Sequence, residues 1–368
     1  MDRSSLFWWL ALNRIPGVGQ VIFKRLLDRF GSPESAFRAK REELLEIESM
    51  RKGSVQAILR FKQDPGIEKE LDLLASLGIG ILTLTDPFYP PMLAHIPDPP
   101  PILYYRGRPS QADARSIAIV GSRLSSPYGI KITERLAWSL AKNPLTVVSG
   151  MARGIDSAAH RGALMAQGRT VAVLGSGLDV VYPSENKPLY EEIVETGMVC
   201  SEYPPGTLPE RQHFPARNRL ISGISLGAVI VEATQHSGSL ITARLALDQG
   251  REVFAVPGSV ESFKSSGTHR LIKQGAKLVE HAGDILEEFP FLSSEGGLSQ
   301  TGGVEISPEP VLPSAQKKIW DALSQDPLHV DQISRETQLS TGPLLSLLLE
   351  MELRGIIKQL PGKFFIKA

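Results

Sequence analysis

The sequence predicts a doubly wound α/β protein with a mostly parallel sheet, bracketed by an N-terminal helical module and a C-terminal winged helix. Three observations carry that expectation. Short apolar runs rich in Val and Ile alternate with helical segments between Ile79 and Phe289, as in parallel strands covered on both faces. Most of these runs end in Gly/Ser-rich turns, the usual punctuation of a strand-to-helix connection. On either side of this region the spacing of apolar residues becomes chiefly helical.

Residues 1–78 read as helices. Leu6–Leu12 is an apolar start, and Val21, Ile22, Leu26, Leu27 and Phe30 recur at helical spacing. Between them, Arg14-Ile15-Pro16-Gly17-Val18-Gly19 is a helix-hairpin-helix signature, in which glycines let backbone N–H groups approach a DNA phosphate. A second helical pair, Arg41–Leu45 and Val55–Phe61, has no matching Gly-x-Gly turn. The module, SAM-like in its helix pairing, therefore also fits a purely structural role.

Residues 79–290 carry the sheet. Strands are expected at Ser116–Val120, Thr146–Ser149, Thr170–Leu174, Met198–Tyr203, Ala228–Ala233, Glu252–Val256 and Lys277–Glu280, with Ile79–Leu84 and Ile102–Tyr105 extending it. The proline-rich Pro87–Pro101 stretch must be extended or looped. Residues 291–313 are rich in Gly, Ser, Pro and Glu without periodicity and read as a flexible linker. In residues 314–368, helices at Ala315–Leu323, after His329 and at Gly342–Leu353 precede a hairpin. Its strands, Ile356–Leu360 and Phe364–Lys367, flank Pro361-Gly362, the order of a winged helix.

Bulk composition excludes several classes. The 368 residues are 42% hydrophobic and 22% charged, with 40 basic against 40 acidic side chains. Any affinity for a polyanion must then come from local placement of charge. The single cysteine, Cys200, rules out an intramolecular disulfide and argues against a cysteine zinc site. The seven histidines lack metal-ligand spacing. No metal and no cofactor are expected. No segment approaches a membrane span and no secretory leader is visible, so a cytoplasmic protein with no membrane partner is expected.

The chemistry concentrates where strands end, because ligands of open α/β sheets bind at the carboxyl edge. The turns there are Gly121-Ser122-Arg123, Gly150-Met151-Ala152-Arg153-Gly154-Ile155-Asp156, Gly175-Ser176-Gly177-Leu178-Asp179, Ser237-Gly238-Ser239 and Pro257-Gly258. Small residues, hydroxyls and helix N-termini all favour anions. Several such turns on one edge suit a polymer of phosphates. The run Phe214-Pro215-Ala216-Arg217-Asn218-Arg219 adds guanidinium groups for phosphate, an aromatic face for a base and an amide for either. A P-loop is absent, and Gly175-Ser176-Gly177 lacks the third glycine of a dinucleotide fingerprint. Asp156, Asp179, Glu202 and Glu232 lie near strand ends, where carboxylates either do acid/base work or orient arginines and cap helices.

These ordered motifs, together with Tyr182-Pro183, Leu240-Ile241-Thr242-Ala243 and Val256-Pro257-Gly258, closely resemble those of the DNA processing protein A (DprA, or Smf) family. The resemblance covers about Ile79 to Phe289 and, more loosely, both ends. It implies an extended Rossmann core that binds single-stranded DNA, protects incoming DNA during natural transformation and loads the RecA recombinase. It also implies a homodimer joined through the Rossmann domain. The family's DNA contacts fall on Ser122, Arg123, Phe214, Arg217 and Asn218. Position and chemistry add Arg219, Ser237, Gly238 and Ser239.

The expectation is a DNA-binding protein without catalytic residues. One alternative is a nucleotide hydrolase of the lysine-decarboxylase-like Rossmann group. That group carries Pro-Gly-Gly-x-Gly-Thr-x-x-Glu, whereas here Pro257-Gly258 runs into Ser259-Val260-Glu261. Another gives DNA binding to the winged helix. Its third helix is dominated by leucines, with Glu350 and Glu352 ahead of its only arginine, Arg354, although Lys358, Lys363 and Lys367 of the wing could reach phosphate.

Overall fold

The computed structural model describes residues 2–293, 312–323, 328–354, 356–360 and 364–367. The chain divides after Leu292 into two compact units. The expected linker falls mostly on 294–311, and the Pro361-Gly362 turn with Lys363 falls on 361–363; both lie outside the described residues.

In the first unit the apolar runs become one nine-stranded sheet. Its strands are β1 (Gly80–Thr83), β2 (Ile102–Gly107), β3 (Ser116–Val120), β4 (Thr146–Ser149), β5 (Thr170–Leu174), β6 (Met198–Ser201), β7 (Gly227–Ile230), β8 (Glu252–Ala255) and β9 (Lys277–Leu278). Their spatial order is β1-β2-β6-β5-β4-β3-β7-β8-β9. β1–β2 and β2–β6 pair antiparallel. From β6 to β9 every pair is parallel. β3, β4 and β5 match the expected bounds, and several of the others end earlier than their apolar runs. The surplus residues, such as Val231 and Ala233 beyond β7, are buried in the turns.

Six helices precede the sheet: α1 (Arg3–Asn13), α2 (Gln20–Phe30), α3 (Pro33–Arg38), α4 (Arg41–Leu45), α5 (Lys52–Leu59) and α6 (Pro65–Ser76). Their core does not stop at residue 78. Phe7, Leu10, Phe23 and Leu74 belong to one apolar cluster with Tyr104, Ala172, Leu174 and Val199 of the sheet. The hairpin turn between α1 and α2 has Gly17 at φ +82°, and its carbonyl neighbour Pro16 accepts a bond from Ser54 Oγ at 2.9 Å. Arg14 pairs with Asp64 and Glu70. The close backbone approach that Gly17 permits is thus used within the module.

Within the sheet region the helices are α7 (Pro91–Ala94), α8 (Pro127–Lys142), α9 (Ile155–Met165), α10 (Lys187–Thr196), α11 (His213–Ile224), α12 (Gly238–Asp248), α13 (Ser266–Lys273) and α14 (Ala282–Leu286). They cover both faces, as the two further apolar clusters on the sheet require. Among the described residues no helix is long and apolar enough to cross a membrane.

The second unit contains α15 (Ser314–Ala322), β10 (Leu328–His329), α16 (Val330–Thr337), α17 (Thr341–Leu353), β11 (Ile357–Leu360) and β12 (Phe364–Lys367). β12 lies between β10 and β11, and both pairings are antiparallel. Leu344, Leu348 and Met351 of α17 are buried in this unit's own core.

One buried group beside the start of β5 gives a pH dependence. His160 of α9 is fully buried, with Nδ1 2.7 Å from Thr170 Oγ1. That hydroxyl donates to the Val147 carbonyl, so it accepts from His160 Nδ1–H. Burial, reinforced by the Arg217 charge, pushes the imidazole down from 6.5 to about 3. Between those values the unfolded chain takes up a proton that the folded one refuses. Stability from this group is therefore complete above about pH 6.5 and is lost as pH falls toward 3, by up to about 1.4 kcal/mol per pH unit. Denaturant midpoints measured from pH 7 to pH 4 should fall less steeply for His160→Gln than for wild type; parallel curves would refute this.

Candidate nucleic-acid interface

The segments that follow β3, β4, β5, β7 and β8 at the carboxyl edge of the sheet line one cleft of about 970 Å³. Eight of the nine candidate residues line it: Ser122, Arg123, Phe214, Arg217, Asn218, Ser237, Gly238 and Ser239. Arg219 does not. The reason is helical geometry. The run containing it forms the first turns of α11, where residues three and four apart share a face. Phe214, Arg217, Asn218 and Ile221 therefore face the cleft together. Arg219, two positions from Arg217, points away with Ala216 into a separate cavity.

There Arg219 is already neutralised. It donates to both Glu202 carboxylate oxygens, at 2.6 and 2.5 Å, and to the Asp98 carbonyl at 2.7 Å. Gln20 of α2 bonds Glu202 at 2.9 Å. This cluster fastens the helical module and the 87–101 loop to α11. The expectation of Arg219 on the cleft wall is corrected accordingly.

Arg217 forms the cleft floor and is only 4% exposed. Its Nη1 donates to the carbonyls of Gly150 and Val173, at the ends of β4 and β5. A Cβ on Gly150 would lie 2.2 Å from that nitrogen, so the glycine makes room for the guanidinium. Asp156, at the start of α9, is buried close by and accepts from Ala152 N at 3.3 Å. Burial lowers Arg217 to about 10, while the Asp156 charge opposes that shift. Burial likewise raises Asp156, opposed first by Arg217. Among the described residues Arg217 Nε has no partner.

The first turn is packed from below. Gly154 sits at φ +74°, and its Cβ would meet the Ser122 carbonyl at 2.4 Å. That close approach lets Ile155 N donate to Ser122 O at 3.2 Å. The glycines expected to approach phosphate thus serve first to pack one turn against the next. Arg123, by contrast, is exposed and has no ion pair among the described residues. Its guanidinium lies over the Phe214 ring, 5.0 Å from the centroid, and Tyr182 flanks the same ring at 5.8 Å. On the far side Ser237 caps α12, whose first turn holds no acidic residue. Its partial positive charge faces the cleft.

The cleft also gathers residues that the sequence did not single out, Arg211, Lys264 and Phe263, together with Tyr182 of the Tyr182-Pro183 motif. Arg211 and Lys264, like Arg123, form no ion pair among the described residues, whereas Arg3, Arg14, Arg25, Arg29, Arg38, Arg153 and Arg169 all do. Lys264 and Phe263 follow the Pro257-Gly258 turn by several residues, and only the fold returns them to the edge. Asp156 is the one acidic side chain against four basic ones in the lining. The remaining strand-end carboxylates are engaged. Asp179 accepts from Gly206 N, and Glu232 from Ser126 N and Oγ. Among the described residues no cluster of His, Cys, Asp and Glu could hold a metal ion.

Comparison with known proteins agrees with this architecture. The model of DNA recombination-mediator protein A matches residues 80–290, a DprA-like N-terminal HHH domain matches 3–40 and the DprA winged helix domain matches 306–363. Protein Smf of Synechocystis is 36% identical over 98% of both chains. DNA processing protein DprA of Streptococcus pneumoniae is 45% identical over 62% of this chain and 79% of its own. The solved structure of that streptococcal protein covers 77% of this chain and 98% of its own, with a TM-score of 0.68 and 37% identity. DNA processing protein A of Helicobacter pylori, solved for its single-stranded DNA binding mode, covers 58% of this chain and 96% of its own. Its TM-score is 0.52 at 31% identity. A family model matched over more than half of the sequence and a relative matched almost end to end place this chain in the DprA/Smf family of DNA processing proteins.

Proposed function

We propose that the cleft holds single-stranded DNA. One observation carries this reading: in a protein of zero net charge, Arg123, Arg211 and Lys264 converge on one cleft beside aromatic rings, with no ion pair among the described residues. Unpaired cations favour a phosphate chain, and aromatic faces favour bases that are not locked in a duplex. The named single-strand binding of the Helicobacter relative supports the same ligand. Ser122, Arg123, Asn218 and the Ser237–Ser239 turn serve as contacts, with Phe214 as a stacking surface. Arg123 must move off the Phe214 ring, or share it, when a base arrives. Arg217 acts from beneath, by fixing the floor.

The wider role follows the family resemblance: protecting incoming single strands and loading RecA during natural transformation, as a cytoplasmic homodimer joined through the sheet domain. A strand-holding role without catalysis suits a cleft whose acidic neighbours are committed to internal bonds. The winged helix is accessory in this reading. Its third helix presents Leu345 and Leu349 to solvent, and Arg354 bonds Gln316.

Three measurements test the assignment. Arg123→Ala should weaken binding to single strands about tenfold irrespective of sequence. It should also flatten the slope of log affinity against log salt by about 0.7. Unchanged affinity would remove Arg123 from the site. Arg217→Ala should instead cost about 2–4 kcal/mol of folding stability, because the buried Gly150 and Val173 carbonyls would each lose their donor; a calorimetric scan like wild type would contradict this. Removing residues 314–368 should leave most single-strand affinity in a gel shift, and its loss would transfer binding to the winged helix.

A further inference from the structure

The cleft has an aromatic residue at each end, and only one of them belongs to the α11 run. Phe214 stands over the end of β5, where a Cβ on Gly175 would touch its ring at 3.2 Å. Phe263 stands beyond β8, on the short turn Phe263–Ser265 that leads into α13. Between them the sheet order is β5-β4-β3-β7-β8. The Phe263 turn sits against the residues after both β7 and β8, so three to four inter-strand steps of about 4.8 Å separate the two ends by roughly 14–19 Å. That distance takes about four to six nucleotides at the 3.4 Å spacing of a stacked strand.

Phe263 is 71% exposed, an unusual position for a phenylalanine unless something covers it. Its exposure is not that of a loose loop. Ala233 N donates to the Lys264 carbonyl at 2.8 Å, and Gly267 N donates to the Ala233 carbonyl at 2.8 Å. The turn is thus clamped to the residues that follow β7. Ser265, next in sequence, is buried against Gly258, and His269 Nε2 lies 3.0 Å from the Gly258 carbonyl. The ring is held out into solvent by a fixed backbone, so little conformational freedom would be lost on stacking. Lys264 lines the cleft beside it without an ion pair among the described residues. An aromatic face next to an unpaired cation repeats the Phe214–Arg123 arrangement at the opposite end.

We infer that Phe263 is a second base-stacking platform and Lys264 its phosphate contact, so that one DNA strand is gripped at both ends of the strand-end edge. This inference rests on the single-strand reading given above. It adds that the cleft requires unpaired bases at two places about 14–19 Å apart, which a duplex cannot offer.

Fluorescence anisotropy with a labelled thymidine oligonucleotide, an abasic oligonucleotide of equal length and a duplex separates the contributions. Phe263→Ala should weaken binding to the thymidine strand about 5- to 100-fold. It should leave the abasic strand unaffected, and Phe263→Trp should retain affinity. Lys264→Ala should weaken binding to both single strands and lower the salt slope by about 0.7. An exposed side chain leaves the fold intact, which an unchanged thermal melt confirms. If Arg123→Ala weakens binding while Phe263→Ala does not, the second platform is refuted and the single-strand reading stands. Equal losses by Phe263→Ala on thymidine and abasic strands would also refute stacking. If wild type binds neither single strand, both readings fall.

Discussion

The buried Arg217 guanidinium is the constraint on which the cleft depends. Parallel strands end in carbonyls that no neighbouring strand satisfies, and at β4 and β5 the Gly150 and Val173 carbonyls turn to this side chain. A guanidinium can bridge two such acceptors because its donors are fixed in one plane. Its charge is then balanced from α9 by Asp156. One residue of α11 thus joins two strand ends. The position of Phe214, one turn earlier on α11, follows from that anchor. Gly150 must be glycine for the same reason that Phe214 can reach the edge: both depend on where the guanidinium sits.

Charge is distributed by use and not by number. Basic and acidic residues are equal in the sequence, yet most arginines of the helical module are spent on local carboxylates such as Glu68, Glu70 and Glu48. Arg219 is spent on Glu202, closing the joint between α2, the 87–101 loop and α11. Arg123, Arg211 and Lys264 are what remains at the cleft. Neutral composition therefore conceals a positive groove. The same division of labour engages the strand-end carboxylates: Asp179 holds a backbone amide, Glu232 an amide and a hydroxyl, and Glu202 an arginine.

Much of this was legible in the chain. The Val- and Ile-rich runs marked the strands because burial on both faces leaves no room for polar residues. Gly121-Ser122-Arg123 and Ser237-Gly238-Ser239 marked the cleft because tight strand-to-helix turns must use small residues. The helical content of 1–78 was equally plain, although its apolar cluster shared with Tyr104 and Val199 was not. Arg217 and Arg219 looked alike in sequence. A helix turns by about 100° per residue, so two positions place them on opposite sides, and their fates diverge into a buried floor and a distant ion pair. Phe263 and Lys264 carried no signal, being an ordinary pair in a long turn.

The sequence by itself determined the order of the elements, the edge on which a ligand would lie and the residue types available there. These follow from local periodicity and turn chemistry, which need no knowledge of distant neighbours. Only the tertiary structure decided which cations remain free and which aromatics face the cleft. A charge is available to a ligand only if no carboxylate is within reach, and that carboxylate can lie far away in the chain. Asp98, 121 residues from Arg219, is such a partner, with its carboxylate 3.4 Å from Arg219 Nε. Lys264, with no such partner among the described residues, keeps its charge for the groove.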